Sequence, residues 1–190
     1  MARFAAADEA APSEPGGVVF VGSSSIRLWK LGESFPEWSA LNRGFGGSEL
    51  CDSVHYFDLL VAKHKPAAVV LYAGDNDVAA GKTAERVHAD FRAFAAKLDA
   101  ALPECRLLYV AIKPSLSRWD KAAEMKRAND LIAADCGEDE RHTFVDIWAP
   151  MLGGDGRPRK ELFVSDGLHL SKEGYAFWNE AVVEAMRSEH

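Results

Sequence analysis

The chain has 190 residues, a formal net charge of −7 and 48 % hydrophobic residues, enough apolar content for one continuous core in a single domain over residues 1–190. Lysine and arginine are scattered rather than gathered into a basic stripe, which argues against nucleic acid and anionic membrane surfaces as partners. The longest uninterrupted apolar run, Ala67 to Ala73, is far below the ~20 residues of a membrane span, so no membrane-spanning segment is expected.

Met1 to Gly17 is alanine-rich, with Pro12, Pro15 and the Gly16-Gly17 pair. It lacks the basic and apolar regions of a signal peptide and reads as an exposed N-terminal arm. Cys51, Cys105 and Cys136 are widely spaced and odd in number, which suggests neither a disulfide framework nor a structural zinc site. A cytoplasmic location is the simplest expectation, with export after removal of a signal as the alternative.

Val18-Val19-Phe20-Val21 runs into Gly22-Ser23-Ser24-Ser25 and then Ile26-Arg27-Leu28-Trp29, the pattern of a buried strand, a tight turn and a helix start. A serine at such a joint is either an N-cap or a nucleophile beside the outward-pointing amides of the helix. Pro36 limits the next helix to a short one. Ala40 to Arg43 is a second strand, and Gly44-Phe45-Gly46-Gly47-Ser48 a turn dense in glycine. Ser48 is expected to cap a helix carrying Leu50, Val54, Phe57 and Leu60/Val61 at helical spacing, ending before Pro66.

Ala67 to Tyr72 is a third strand, apolar throughout as in the middle of a parallel sheet. It stops at the polar loop Ala73-Gly74-Asp75-Asn76-Asp77. Thr83 begins an amphipathic helix with Val87, Phe91, Phe94, Leu98 and Leu102 on one face, closed by Pro103. Arg106 to Ala111 is the fourth strand, Arg118 to Asp135 a helix, and Thr143 to Ile147 the fifth strand. A loop from Pro150 to Lys160 precedes a last helix from Ser171, with Tyr175, Trp178, Val182 and Ala185/Met186 inward. Five strands alternating with helices predict an α/β fold, a three-layer α/β/α sandwich with a flavodoxin-like parallel sheet.

Ligands in such folds sit beyond the carboxyl ends of the strands. Four polar clusters fall there: Ser23 to Ser25, Gly44 to Ser48, Gly74 to Asp77, and Ser165-Asp166-Gly167-Leu168-His169. Asp166 lies three residues before His169, close enough to fix the imidazole in one tautomer, as a serine nucleophile requires of its base. Asn76 is either a turn residue or a side-chain donor to an oxyanion. Phe45, Ser115 and Trp119 are candidates for a substrate pocket, as are Lys113 and Arg118.

Together these blocks resemble the SGNH hydrolases, also called GDSL esterases and lipases. Gly22-Ser23-Ser24-Ser25-Ile26 is similar to the block G-D-S-[IL], with Ser24 in the nucleophile's place and Ser23 where the family has aspartate. Asn42 to Gly47 is similar to the second block, followed by Ser48 where many members have aspartate. Gly74-Asp75-Asn76-Asp77 matches G-x-N-D, and Asp166-Gly167-Leu168-His169 matches D-x-x-H. The G-x-S-x-G elbow of the α/β-hydrolases is absent, because Ile26 stands where its second glycine would be.

The resemblance, closest to small members similar to the platelet-activating-factor acetylhydrolase catalytic subunit, implies a serine esterase; a short acyl group such as acetyl is expected because 190 residues leave little room for a deep lipid tunnel or lid, with acetylated sugar, phospholipid-like acetyl ester and thioester all open as substrates. Ser24, His169 and Asp166 would form the catalytic triad. Ser24 and Gly47 through their N–H groups, and Asn76 through its amide, would form the oxyanion hole. It implies no metal or organic cofactor, and a small-molecule ester as partner. Two other readings stay open: a flavodoxin-like module holding a phosphate or flavin at Gly22 to Ser25, and a non-catalytic relative that binds acylated sugars. Register among the three serines also stays open, and the oligomeric state is not legible.

Overall fold

A computed structural model describes residues 1–188. The apolar runs form five strands, Val18–Gly22 (β1), Ala40–Gly44 (β2), Ala68–Tyr72 (β3), Arg106–Val110 (β4) and His142–Val145 (β5). All neighbours pair in parallel, in the order β2-β1-β3-β4-β5. Gly22 stands level with Gly44 on one side and Tyr72 on the other, so the first three strands release their loops at the same height.

Nine helices flank the sheet among the described residues: Ala2–Ala10 (α1), Ser24–Arg27 (α2), Leu31–Ser34 (α3), Leu50–His55 (α4), Phe57–Leu60 (α5), Asp75–Ala79 (α6), Ala84–Ala101 (α7), Ala122–Cys136 (α8) and Lys172–Arg187 (α9). Successive strand residues point to opposite faces, and two cores result. Val19, Val21, Val69 and Leu71 pack with Leu50, Phe57, Phe91, Phe94 and Ile132 on one face. Phe20, Val70 and Tyr72 pack with Ile26, Leu31, Trp178 and Val182 on the other. Trp29 sits among Phe20, Phe35, Tyr175 and Trp178, with ring centroids 5.4–5.7 Å apart, which clamps α9 onto the segment after β1. This is the three-layer α/β/α architecture expected from the sequence. No helix among the described residues is long and apolar enough to cross a membrane.

Three expectations need correction. Residues 1–17 are not an exposed arm throughout: α1 docks through buried Phe4 and Asp8. Asp8 pairs with buried Arg43, and with Lys63 at 2.9 Å, so tertiary pairing orders a segment whose own sequence has little amphipathic pattern. Ser48 does not cap the next helix, because its hydroxyl donates to the Phe45 carbonyl at 2.9 Å. The cap is Glu49, in a reciprocal box with Asp52. The helix expected to run to Val61 breaks at Tyr56 into α4 and α5.

Candidate active site

At the end of β1 the chain reverses over Gly22, whose φ is +136°. A Cβ there would lie 1.9 Å from the Tyr72 carbonyl oxygen, so only glycine allows β1 and β3 to stay paired through this turn. Ser23 then donates its amide to the same carbonyl at 3.0 Å, and α2 begins at Ser24. Asn42 of β2 holds α2 from below, donating to the carbonyls of Ile26 at 2.7 Å and Trp29 at 3.1 Å.

The three adjacent serines have different surroundings. Ser23 is wholly buried and its hydroxyl has no hydrogen-bond partner. Ser25 is buried as well and accepts from the Lys113 ammonium at 3.3 Å. The Ser24 hydroxyl lies 3.0 Å from His169 Nε2, and His169 Nδ1 lies 2.6 Å from Asp166 Oδ2. The Asp166 carboxylate can only accept, so Nδ1 carries the imidazole hydrogen and Nε2 presents a lone pair to Ser24.

Asp166 is fixed independently of that bond. Its Oδ1 accepts the amides of Leu168 at 2.8 Å and His169 at 2.9 Å. The hydrogen bond from His169 outweighs the cost of desolvation and, with help from those amides, brings the Asp166 carboxyl down to about 2. An antiparallel bridge between Phe163 and Leu170 closes the loop that carries both residues, and Tyr175 of α9 donates to the Ser25 carbonyl at 2.8 Å. The carboxylate, the imidazole and the serine turn are thereby anchored to one another.

The other two expected oxyanion residues, Gly47 and Asn76, lie in the segments that follow β2 and β3. Gly47 is exposed with φ +77°, and the Ser24 amide belongs to the first turn of α2, where no intrahelical acceptor exists. Asn76 Nδ2 donates to the Ser48 carbonyl at 2.9 Å, joining the β3 loop to the glycine turn after β2. Asp77 points inward and accepts the Leu50 amide at 3.0 Å and the Lys82 ammonium at 2.8 Å. It shapes the loop rather than facing a ligand.

The candidate pocket residues separate. Phe45 is half-buried and meets Tyr56 edge-on. Ser115, expected on a pocket wall, is buried at 2 % exposure and offers no surface to a ligand. Trp119 stacks on Trp148 at 6.4 Å and carries the Arg157 guanidinium over its ring. The sequence reading did not single out the groove of about 520 Å³ between α2, α3 and the start of α9, lined in part by Leu28, Val164, Leu170 and Tyr175. Leu28 and Val164 are its exposed large apolar residues. Leu28 lies one helical turn beyond Ser24, and Val164 donates its amide to the His169 carbonyl.

Among the described residues, one His and acid group could converge on a metal: Asp99, Asp139 and His142. Arg141 already pairs there with Asp99 at 3.1 Å and Asp139 at 2.6 Å. His142 opens β5, so this cluster lies at the sheet end opposite the serine.

A family model described as "GDSL-like Lipase/Acylhydrolase family" matches residues 25–177. The chain is similar to the isoamyl acetate-hydrolyzing esterase 1 homolog of Bos taurus, with 28 % identity over 165 residues, which cover 72 % of this chain and 64 % of that protein. Among solved structures, a GDSL-like lipase from Bacteroides thetaiotaomicron superposes with a TM-score of 0.85 at 22 % identity, covering 97 % of this chain and 96 % of the other. A catalytic mutant of an acetylxylan esterase from Geobacillus stearothermophilus superposes with a TM-score of 0.74 at 14 % identity, covering 93 % and 96 %. At these identities the structural matches speak to the fold.

Proposed function

The chain belongs to the GDSL-like lipase/acylhydrolase family, and from that premise we propose that it is a serine esterase working through Ser24, His169 and Asp166. The observation that carries this reading is the continuous hydrogen-bonded path from Asp166 Oδ2 through the imidazole to Ser24 Oγ, with steps of 2.6 and 3.0 Å. Ser24 Oγ attacks the ester carbonyl while His169 Nε2 takes its proton, and the ionised Asp166 stabilises the imidazolium. The amides of Ser24 and Gly47 and the Asn76 side chain receive the oxyanion. His169 returns the proton to the leaving alcohol, and water, activated by the same imidazole, releases the acid. Neither step calls on a cofactor.

On the substrate side we read an acetyl or other short acyl group. Two of the similar proteins are named for acetate esters. The leaving oxygen must come within reach of His169 Nε2 to be protonated, which directs the alcohol toward the Leu28 and Val164 groove. The phosphate-cradle reading has less support, because α2 is only four residues long and the Ser24 hydroxyl is committed to the imidazole.

The test is hydrolysis of p-nitrophenyl acetate, butyrate and octanoate by the parent protein and by Ser24→Ala. Acetate turnover that falls to background in Ser24→Ala is expected. Turnover that survives would send the nucleophile elsewhere, and a parent inert on every ester would return weight to the non-catalytic readings.

A further inference from the structure

Beneath the oxyanion corner lies a buried charge cluster that the hydrolytic scheme does not use. The Lys113 side chain is 1 % exposed, and its ammonium donates to Asp75 Oδ2 at 3.0 Å, to the Tyr72 hydroxyl at 2.8 Å and to Ser25 Oγ at 3.3 Å. Arg118 approaches the same Asp75 oxygen, with Nη1 at 3.3 Å. Its other terminal nitrogen, Nη2, donates to Asn76 Oδ1 at 3.0 Å. Asp75 Oδ1 is buried without a hydrogen-bond partner, so two cations share one carboxylate oxygen and the cluster keeps a net positive charge.

We propose that Arg118 is a positioning residue for the oxyanion donor, fixing which end of the Asn76 amide faces the hole and polarising it, with Asp75 and Lys113 holding Arg118 in place. The inference rests on the reading of Asn76 as that donor. An amide side chain can sit in either of two flipped orientations of nearly the same shape. A guanidinium only donates and a carbonyl only accepts. Arg118 on one end and the Ser48 carbonyl on the other therefore both require Oδ1 toward Arg118 and the NH₂ toward the glycine turn. In the flipped amide, a carbonyl oxygen would face the developing oxyanion and repel it.

The contact also changes the strength of the donor. A charge-assisted bond to Oδ1 draws electron density toward that oxygen and makes the NH₂ a better donor. The cluster's uncompensated positive charge lies behind the amide, on the side where it stabilises a nearby anion. Arg118 itself touches neither the substrate nor the reacting atoms in this scheme. Its effect passes through Asn76.

The experiment is a double-mutant cycle on p-nitrophenyl acetate hydrolysis with Arg118→Met, which keeps the aliphatic stem, together with Asn76→Ala and the combined variant. Arg118→Met alone is expected to lower kcat about 10-fold with KM nearly unchanged, and to do almost nothing once Asn76 is alanine. Arg118→Lys, with its charge but without its fork, should recover part of the loss. A loss of the same factor in both backgrounds would overturn the proposal, since Arg118 would then act by another route. A second readout does not depend on activity. The Asn76 side-chain NH₂ signals in a ¹⁵N–¹H correlation spectrum, identified by their disappearance in Asn76→Ala, should move in Arg118→Met. If they stay in place the proposal fails even for an active esterase; if they move in a protein inert on every ester, the amide lock stands and the esterase reading is what fails.

Discussion

The Lys113 ammonium and the Asp75 carboxylate meet at 3.0 Å with 1 % and 6 % of their side chains exposed. Burial alone would raise the Asp75 carboxyl, but Lys113 and Arg118 outweigh it and hold it below the usual carboxylate range. The Asp75 carboxylate therefore contributes stability above the ordinary aspartate range that fades as the pH falls below it, while burial pulls the Lys113 ammonium down and offsets part of that gain. Lys113→Met leaves Asp75 facing Arg118 alone and is expected to cost about 3–5 kcal/mol in urea denaturation at pH 7, the scale for breaking a buried pair. Adding Asp75→Asn should recover a large part of that loss. A Lys113→Met protein as stable as the parent would mean the cluster is better hydrated than its burial indicates.

Gly22→Ala tests the turn that presents Ser24. The added methyl needs a positive φ and collides with the Tyr72 carbonyl. Thermal denaturation should show a loss of more than about 2 kcal/mol, and the surviving folded protein should hydrolyse esters poorly.

Asp166→Asn preserves shape but replaces an acceptor pair with an amide, which no longer requires the hydrogen on Nδ1. A fall in kcat of about 10⁴-fold is expected, the scale known for this substitution in a serine triad. In the parent, the carboxyl held at about 2 stays ionised through any ordinary assay range. Its stabilising contribution is complete above the ordinary aspartate value and is lost only as the pH falls through about 2. The acid limb of the kcat/KM profile above pH ~4 should therefore follow a single ionisation. A slope corresponding to two protons would contradict the assignment.

Asp8→Ala tests the docking of α1. Arg43, buried beneath Phe4 and paired with Asp8, would keep a charge that burial already disfavours. A loss of about 3 kcal/mol is expected by urea titration, with esterase kcat unchanged in the folded fraction. A loss below about 0.5 kcal/mol would show that α1 contributes little to the fold.

Much of the architecture was written locally. Continuous apolar runs such as Ala67 to Tyr72 marked buried parallel strands, and polar residues immediately after them marked the sheet end where the site lies. Asp166 and His169 were legible because their three-residue spacing closes their contact within one turn. The register of the serines was not, since all three hydroxyls have the same chemistry and only the packing of distant Tyr72, Lys113 and His169 tells them apart. Arg118 was visible as a residue near the pocket, but its bond to Asn76 spans 42 positions and leaves no periodic trace. The N-terminal helix was missed because Phe4 and Asp8 anchor it through residues of β2 and beyond rather than through a pattern of its own.

Ser24 and His169 are separated by 145 positions, and both the Tyr175–Ser25 and Trp29–Asn179 bonds span 150. The site is thus the seam where the two ends of the chain are closed on each other. During folding such long loops close at an entropic cost that local contacts do not meet, so β1 with its serine turn can be in place well before its base arrives. Recovery of esterase turnover during refolding would then report the docking of the last quarter of the chain, and a nascent chain that has not yet reached Asp166 and His169 would carry the nucleophile without the means to activate it.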